Sequence, residues 1–276
     1  DTAAKVLSAN GIRVYLFDSL RPTPELSFAI RSFKCHCGIV ITASHNPKEY
    51  NGYKVYWQDG GQIVSPHDKG IIQEVKAITD ITQVNFNENS NLIRVIGSEI
   101  DEMYLNTISN LSLSPELIKK YKDIPIVYTP IHGTGVKLVP RSLHKFGFNN
   151  IINIPEQDII DGNFPTVKSP NPEEHATLTL ALEKAVEVNA ELVMATDPDA
   201  DRVGIGLKLP NGQYSLLNGN QAAAILIYYI LKQWSDRKKL TGKEFIVKTI
   251  VTTDLLTQIA KKFNVEYFEV LTGFKY

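Results

Sequence analysis

The sequence has almost no net charge. Its 29 Lys and Arg stand against 30 Asp and Glu, for a formal −1 at pH 7. That balance removes the broad basic field that draws a protein to nucleic acid or anionic membrane, so neither is expected as a partner. Long apolar runs are missing too: none approaches the roughly 20 residues needed to span a bilayer. No secretory leader is visible. Cysteine is scarce. Cys35 and Cys37 flank His36 and stand too close together for an ordinary disulfide. No second Cys/His cluster completes a tetrahedral zinc set. Reduced, structural cysteines and a cytoplasmic setting are the expectation. Any anionic ligand must be held by local groups rather than by bulk charge.

What is present is the make-up of a soluble globular chain, with 43% hydrophobic and 21% charged residues. Its 276 residues suit two or three domains at roughly 100–200 residues each. Short β-branched runs alternate with longer helix-like stretches. Strands are expected at 14–17, 38–43, 53–57, 124–128, 151–154, 191–195, 203–207, 244–249 and 265–270. Helices are expected at 24–33, 66–78, 100–108, 136–146, 173–188, 220–234 and 254–263, besides a helix-like opening from Asp1. This alternation predicts an α/β fold: consecutive α/β domains with mixed, mostly parallel sheets. Residues 85–97 are polar and Asn-rich at their start, and 112–122 lead into a fresh strand. Boundaries near 112 and 214 divide the chain into 1–112, 113–214 and 215–276. The start at Asp1 and the stop at Tyr276, just after a strand and loop, read as the cut ends of a longer protein.

Two loops carry chemistry. In the first, the buried run Gly38–Ala43 leads into Ser44, His45, Asn46 and Pro47. Ligands of open α/β sheets collect beyond the carboxyl ends of strands. A serine hydroxyl becomes nucleophilic when a base or metal activates it. His45 is adjacent, and the tight turn at Asn51–Gly52 folds Lys54 back toward the loop. A turn whose polar side chains merely cap local backbone fits the same residues. The flanks Thr42-Ala43 and His45-Asn46 are not a G-x-S-x-G elbow, which disfavours a serine hydrolase.

The second loop, Met194–Gly206, is sharper. Asp197, Asp199 and Asp201 alternate just past another buried strand. Three carboxylates so close repel one another unless a cation or solvent compensates them. Hard oxygen ligands at alternate positions suit Mg²⁺ or Ca²⁺. An EF-hand would need Gly and Glu where Arg202 and Lys208 stand, so that reading fails. A D-x-D aspartate-nucleophile site fits Asp197 and Asp199 but leaves Asp201-Arg202 unexplained. Arg202 adds a donor fork suited to phosphate.

Together the loops resemble those of the α-D-phosphohexomutases, the phosphoglucomutase/phosphomannomutase superfamily. Thr42–Pro47 (TASHNP) is similar to its phosphoserine loop and Asp197–Arg202 (DPDADR) to its metal loop. Asn51–Lys54 (NGYK) and Val127–Gly135 (VYTPIHGTG) agree as well. Leu271–Tyr276 (LTGFKY) resembles the domain-3 loop of the phosphoglucomutase/phosphopentomutase branch. The resemblance covers essentially the whole chain. It implies family domains 1 and 2 plus the start of domain 3, out of four domains around a cleft. Relative to that pattern the chain lacks the first strand of domain 1, the rest of domain 3 and all of domain 4.

The resemblance also implies an isomerase of carbohydrate metabolism that interconverts sugar 1-phosphates and 6-phosphates through a bisphosphorylated intermediate. Ser44 becomes the phosphorylated residue, and with Asp197, Asp199 and Asp201 it ligates Mg²⁺. Lys54 becomes the general base that takes the proton of the sugar hydroxyl, and His45 assists by hydrogen bonding. Arg202, Gly273, Phe274 and Lys275 touch the phosphosugar. Glucose 1,6-bisphosphate or a related sugar bisphosphate is the implied activator. His132 and Gly133–Gly135 read as a structural strand-to-helix turn, and 161–174 as a long surface loop. Phosphopentomutase, a metal-dependent phosphatase and a non-catalytic phosphosugar-binding fragment stay open as alternatives.

Overall fold

Short β-branched runs become strands here and amphipathic runs become helices, and their order along the chain is that of an α/β protein. The computed structural model describes residues 1–273. The elements run α1 (Thr2–Ala9), β1 (Val14–Phe17), α2 (Thr23–Ser32), β2 (Cys37–Thr42), β3 (Gly52–Trp57), α3 (His67–Ala77), β4 (Ile93–Ile96) and α4 (Ser98–Ser109). They continue with α5 (Pro115–Lys120), β5 (Ile126–Thr129), α6 (Gly135–Phe146), β6 (Ile151–Asn153), α7 (Pro155–Asp158) and α8 (Thr179–Glu187). The last are β7 (Leu192–Thr196), β8 (Val203–Lys208), β9 (Tyr214–Leu217), α9 (Gly219–Asp236), β10 (Phe245–Thr249), α10 (Leu255–Lys262) and β11 (Glu266–Val270). Among them no helix is long and apolar enough to cross a membrane.

The residues group into two compact units. Among the described residues, one comprises Asp1–Val40 and Lys54–Thr107; the other comprises Ile41–Tyr53 and residues 108–273. In the first unit β1 pairs parallel with β4, Val14 opposite Ile93 and Phe17 opposite Ile96. Ala29, Ile96 and Ile100 close its core against Tyr15, Phe17, Phe28 and Phe33. Ile100 is fully buried, which is worth roughly 1.5–3 kcal/mol for a side chain of that size. Arg21 lies beside this core. Its guanidinium makes a bidentate pair with Asp101, Nε to Oδ1 at 2.7 Å and Nη2 to Oδ2 at 3.1 Å.

The second unit contains a five-stranded mixed sheet in the order β6-β5-β7-β8-β9. β5 is parallel to both β6 and β7, whereas β7–β8 and β8–β9 are antiparallel. β5 is buried on both faces, as a strand inside a helix-covered sheet must be. Val127 and Val193 pack against Ala181 and Ala185 of α8, where alanines allow the helix to lie close to the sheet. Further along, parallel β10 and β11 carry α10 and α9 over a core of Leu231, Leu256, Ile259, Ala260 and Val265. A capping box starts α9: the Asn218 and Gln221 side chains each accept the other's backbone N–H at 3.0 Å.

The fold class matches the expectation, and several local expectations do not. β4 lies inside the stretch read as a polar break. α5 occupies part of the stretch read as a lead-in to a strand. β9 lies between the strand expected at 203–207 and the helix expected from 220, at the expected boundary near 214, where no strand is expected. The helix expected from Glu173 begins at Thr179, because Asn171 accepts the Glu173 N–H in a local turn and residues His175–Leu178 form a 3₁₀ turn first.

Candidate phosphoserine and metal site

β2 delivers the first loop. Just past the strand Ser44 takes φ +54°, a left-handed conformation uncommon for a residue with a Cβ. Its N–H donates to Thr42 Oγ1 at 2.8 Å, which ties the turn together locally. Ser44 is 7% exposed, and its hydroxyl donates to Asp197 Oδ2 at 2.8 Å. That spends the only hydroxyl proton, so His45 Nδ1, 3.3 Å from Ser44 Oγ, faces it as a donor. Both loops belong to the second unit.

The tight antiparallel connection from β7 to β8 delivers the second loop. Asp197 follows Thr196 directly and is wholly buried; Asp199 is 2% exposed and Asp201 is exposed. Asp197 Oδ1 accepts the N–H groups of Asp201 at 3.2 Å and Arg202 at 3.0 Å, and its carbonyl accepts Ala200 N–H at 2.9 Å. Ala200, at φ +53°, lets the loop reverse. With Oδ1 engaged by its own loop, Asp197 presents Oδ2 to Ser44. Each of the three aspartates offers one oxygen, and these oxygens lie within 4.8 Å of one another.

This donor set fits a hard divalent cation: all oxygen, at alternate positions, two buried and one open to solvent. The electrostatics agree. Burial first, then the charges of Asp199 and Asp201, push Asp197 up to about 7, while the Ser44 hydrogen bond pulls the other way. A cluster that holds a proton near neutrality has a place for a cation that displaces it.

The other expected residues divide. Arg202 is exposed, with Nε 4.0 Å from Asp201 Oδ1, so its fork is available beside the carboxylates. Lys48 on the Ser44 loop donates to Asn163 Oδ1 at 2.9 Å, linking that loop to the long 161–174 segment. Lys54 is half-buried on β3 and groups with the first unit. Gly273 is exposed with φ +122°. Phe274 and Lys275 lie outside the described residues. Cys35 and Cys37 are free thiols whose pKa values are raised, chiefly by burial. Sequence reasoning did not identify the polar support beneath the site. Tyr128 and Thr196 share a buried 2.9 Å hydroxyl–hydroxyl bond directly before Asp197. Only their places on the two strands could have hinted at it.

Comparison with known proteins fits this geometry. Phosphoglucomutase/phosphomannomutase family models for α/β/α domains I, II and III match residues 1–82, 102–209 and 218–276. The chain therefore belongs to the phosphoglucomutase/phosphomannomutase family. It is 38% identical to a phosphoglucomutase of Staphylococcus aureus over 276 residues, 99% of this chain and 49% of that protein. It thus spans about half the length of the curated relatives it matches. A Thermus thermophilus protein, solved as a candidate phosphomannomutase, superposes with a TM-score of 0.70 at 26% identity, covering 98% of this chain and 56% of that one. An Aspergillus fumigatus N-acetylphosphoglucosamine mutase, solved with GlcNAc-6P and magnesium, shares the fold at a TM-score of 0.60 and 14% identity, over 99% of this chain and 60% of that one.

Proposed function

We propose that this chain carries the phosphoryl-transfer half of a phosphosugar mutase, with Ser44 as the phosphate carrier. The observation that supports this most directly is the 2.8 Å contact of Ser44 Oγ with the buried carboxylate of Asp197, inside a three-carboxylate cluster. Asp197, Asp199 and Asp201, with the phosphate on Ser44, would hold Mg²⁺, which supplies Lewis-acid stabilisation of charge on the phosphoryl oxygens. The magnesium in the Aspergillus protein of the same fold supports that choice of ion.

In the forward transfer the phosphorus–Ser44 Oγ bond breaks and a bond to a sugar hydroxyl oxygen forms. The hydroxyl proton passes to Lys54 in its neutral form. His45 donates a hydrogen bond to Ser44 Oγ as that atom becomes the leaving oxygen, and Arg202 attracts the equatorial phosphoryl oxygens. The resulting sugar bisphosphate turns over and returns its other phosphate to Ser44, which yields the isomeric monophosphate. Gly273, Phe274 and Lys275 are proposed to contact the sugar or its phosphate. The 38% identity to a phosphoglucomutase makes glucose 1-phosphate and 6-phosphate the first substrates to test, with glucose 1,6-bisphosphate as activator. We also propose domains at 1–112, 113–214 and 215–276 and a cytoplasmic location.

The test is intact mass after incubation with Mg²⁺ and glucose 1,6-bisphosphate, wild type against Ser44→Ala. One added phosphoryl group in the wild type alone is the expected result. Release of inorganic phosphate without an isomerised sugar would make the protein a phosphatase. Retained sugar-phosphate binding without transfer would make it a binding fragment.

A further inference from the structure

The carboxylate loop rests on a neighbouring turn held in a conformation its own sequence disfavours. Ile131 and His132, directly after β5, have φ +48° and +60°. Two successive left-handed residues are unusual, and a β-branched one is a real outlier. Such strain persists only where the surroundings over-determine it.

The surroundings do so here. His132 is 2% exposed, and both ring nitrogens are engaged. Nδ1 lies 2.7 Å from the Ile159 carbonyl oxygen, which can only accept, so Nδ1 carries the proton. Nε2 then accepts from Thr166 Oγ1 at 2.8 Å. Thr166 Oγ1 in turn receives the Gln157 amide at 3.0 Å, and fully buried Gln157 takes the Thr129 hydroxyl at 2.6 Å. The circuit closes on the backbone: Ile131 N–H donates to Thr129 Oγ1 at 3.1 Å and His132 N–H to the Gln157 carbonyl at 2.8 Å. Every donor in this chain meets an acceptor in one consistent direction.

The turn then touches the carboxylate loop. Thr134 N–H donates to the Pro198 carbonyl at 2.8 Å. Gly133 lies so close that an added Cβ would sit 2.6 Å from that carbonyl oxygen and 2.8 Å from the Pro130 carbonyl oxygen. Pro198 stands between Asp197 and Asp199, so where the turn sits, those two carboxylates sit.

We propose that the turn Ile131–Gly135, pinned by His132, sets the position of the Asp197–Asp201 loop, and that His132 and Gly133 are positioning residues for the cation site. The inference rests on the metal-site reading above for its function but not for its geometry.

The test uses the full chain with two readouts. One is hydrogen exchange at the Asp201 and Arg202 amides in metal-free protein; the other is Mn²⁺ and Mg²⁺ affinity by calorimetry. Gly133→Ala is expected to speed that exchange and weaken cation binding at least tenfold. Thr166→Val, which breaks the His132–Gln157 link, is expected to act in the same direction, and Thr166→Ser to restore wild-type values. Ala260→Gly, on α10 in the separate core with Leu231, Leu256 and Val265, serves as a control for general destabilisation and should leave both readouts near wild type once matched for folded fraction. Unchanged amide exchange in folded Gly133→Ala and Thr166→Val overturns the proposal, as does an equal effect from Ala260→Gly. If exchange responds but the wild type binds no cation, the positioning role stands and the metal-site reading fails.

Discussion

The Ser44 hydroxyl is hydrogen-bonded at 2.8 Å to Asp197, 153 positions away in the chain. Two loops that each follow a strand of the α/β pattern therefore share one buried point. The bond joins the residue expected to carry phosphate to one expected to hold the cation. It also partly offsets the burial and like charge that raise the proton affinity of Asp197.

The Ser44 position balances strain against that bond. Ser44→Ala keeps the left-handed backbone and loses a hydrogen bond to a carboxylate, so it should destabilise metal-free protein at pH 8 by about 1.5–3 kcal/mol. Ser44→Gly loses the same bond but relieves a left-handed conformation that costs a residue with a Cβ roughly 1–2 kcal/mol. Urea unfolding should rank wild type, then Gly, then Ala. Equal stability of Gly and Ala would mean that the +54° backbone is unstrained.

Asp199→Asn separates metal binding from folding. It removes a proposed cation ligand and a negative neighbour of Asp197 together. Mg²⁺ affinity should fall by at least about tenfold, a scale that supporting groups around metal ligands already reach. Metal-free stability should rise by roughly 1 kcal/mol, since the charge of Asp199 is the second-largest cause of the raised Asp197 pKa. Calorimetry and urea unfolding on the same preparation give both signs. Unchanged Mg²⁺ affinity would count against the loop as the metal site.

Much of this site was legible in the sequence, for a physical reason. A polar loop after a buried strand is where an open α/β sheet exposes functional groups, and three alternating aspartates have few other uses. The strands that were missed are short and sit beside polar or turn-rich sequence. β4 is four residues long next to an Asn-rich segment, and β9 directly follows a Gly-containing turn. Their strand character comes from partners in the sheet, parallel β1 and antiparallel β8, rather than from local pattern. The turn at Ile131–His132 was readable as a turn but not as a left-handed one. Isoleucine argues against positive φ, and what enforces it are Gln157, Ile159 and Thr166, far along the chain.

The first unit depends on its buried ion pair. Arg21→Met removes the bidentate partner of Asp101, which is 2% exposed, and leaves that carboxylate without its main cation. Removing one member of a buried pair typically costs about 3–5 kcal/mol. The double variant Arg21→Met, Asp101→Leu should recover only part of that loss, because fully buried Glu25, with Oε2 3.8 Å from Arg21 Nε, loses this cation as well. Full recovery would mean that Glu25 needs no compensation from Arg21, and no recovery at all would mean that the guanidinium's contacts with Glu25, Ser19 and Asp18 carry the stability instead.

The pH response follows from Asp197. In folded, metal-free protein its carboxyl is pushed up to about 7 from an ordinary 3.8, by burial first and then by Asp199 and Asp201. Between those values the native state binds more protons than the unfolded chain, so stability falls as pH rises from about 4 to about 7 and levels off above. Cation binding has the opposite slope, because the ion must displace that proton. Mg²⁺ affinity should rise roughly tenfold per pH unit up to about 7 and then flatten. Saturating Mg²⁺ should therefore abolish the loss of stability toward neutral pH. Thermal unfolding from pH 5 to 8, with and without Mg²⁺, measures both slopes. Parallel curves would show that Asp197 does not exchange its proton for the cation, and the carboxylate cluster would then be a structural feature rather than a metal site.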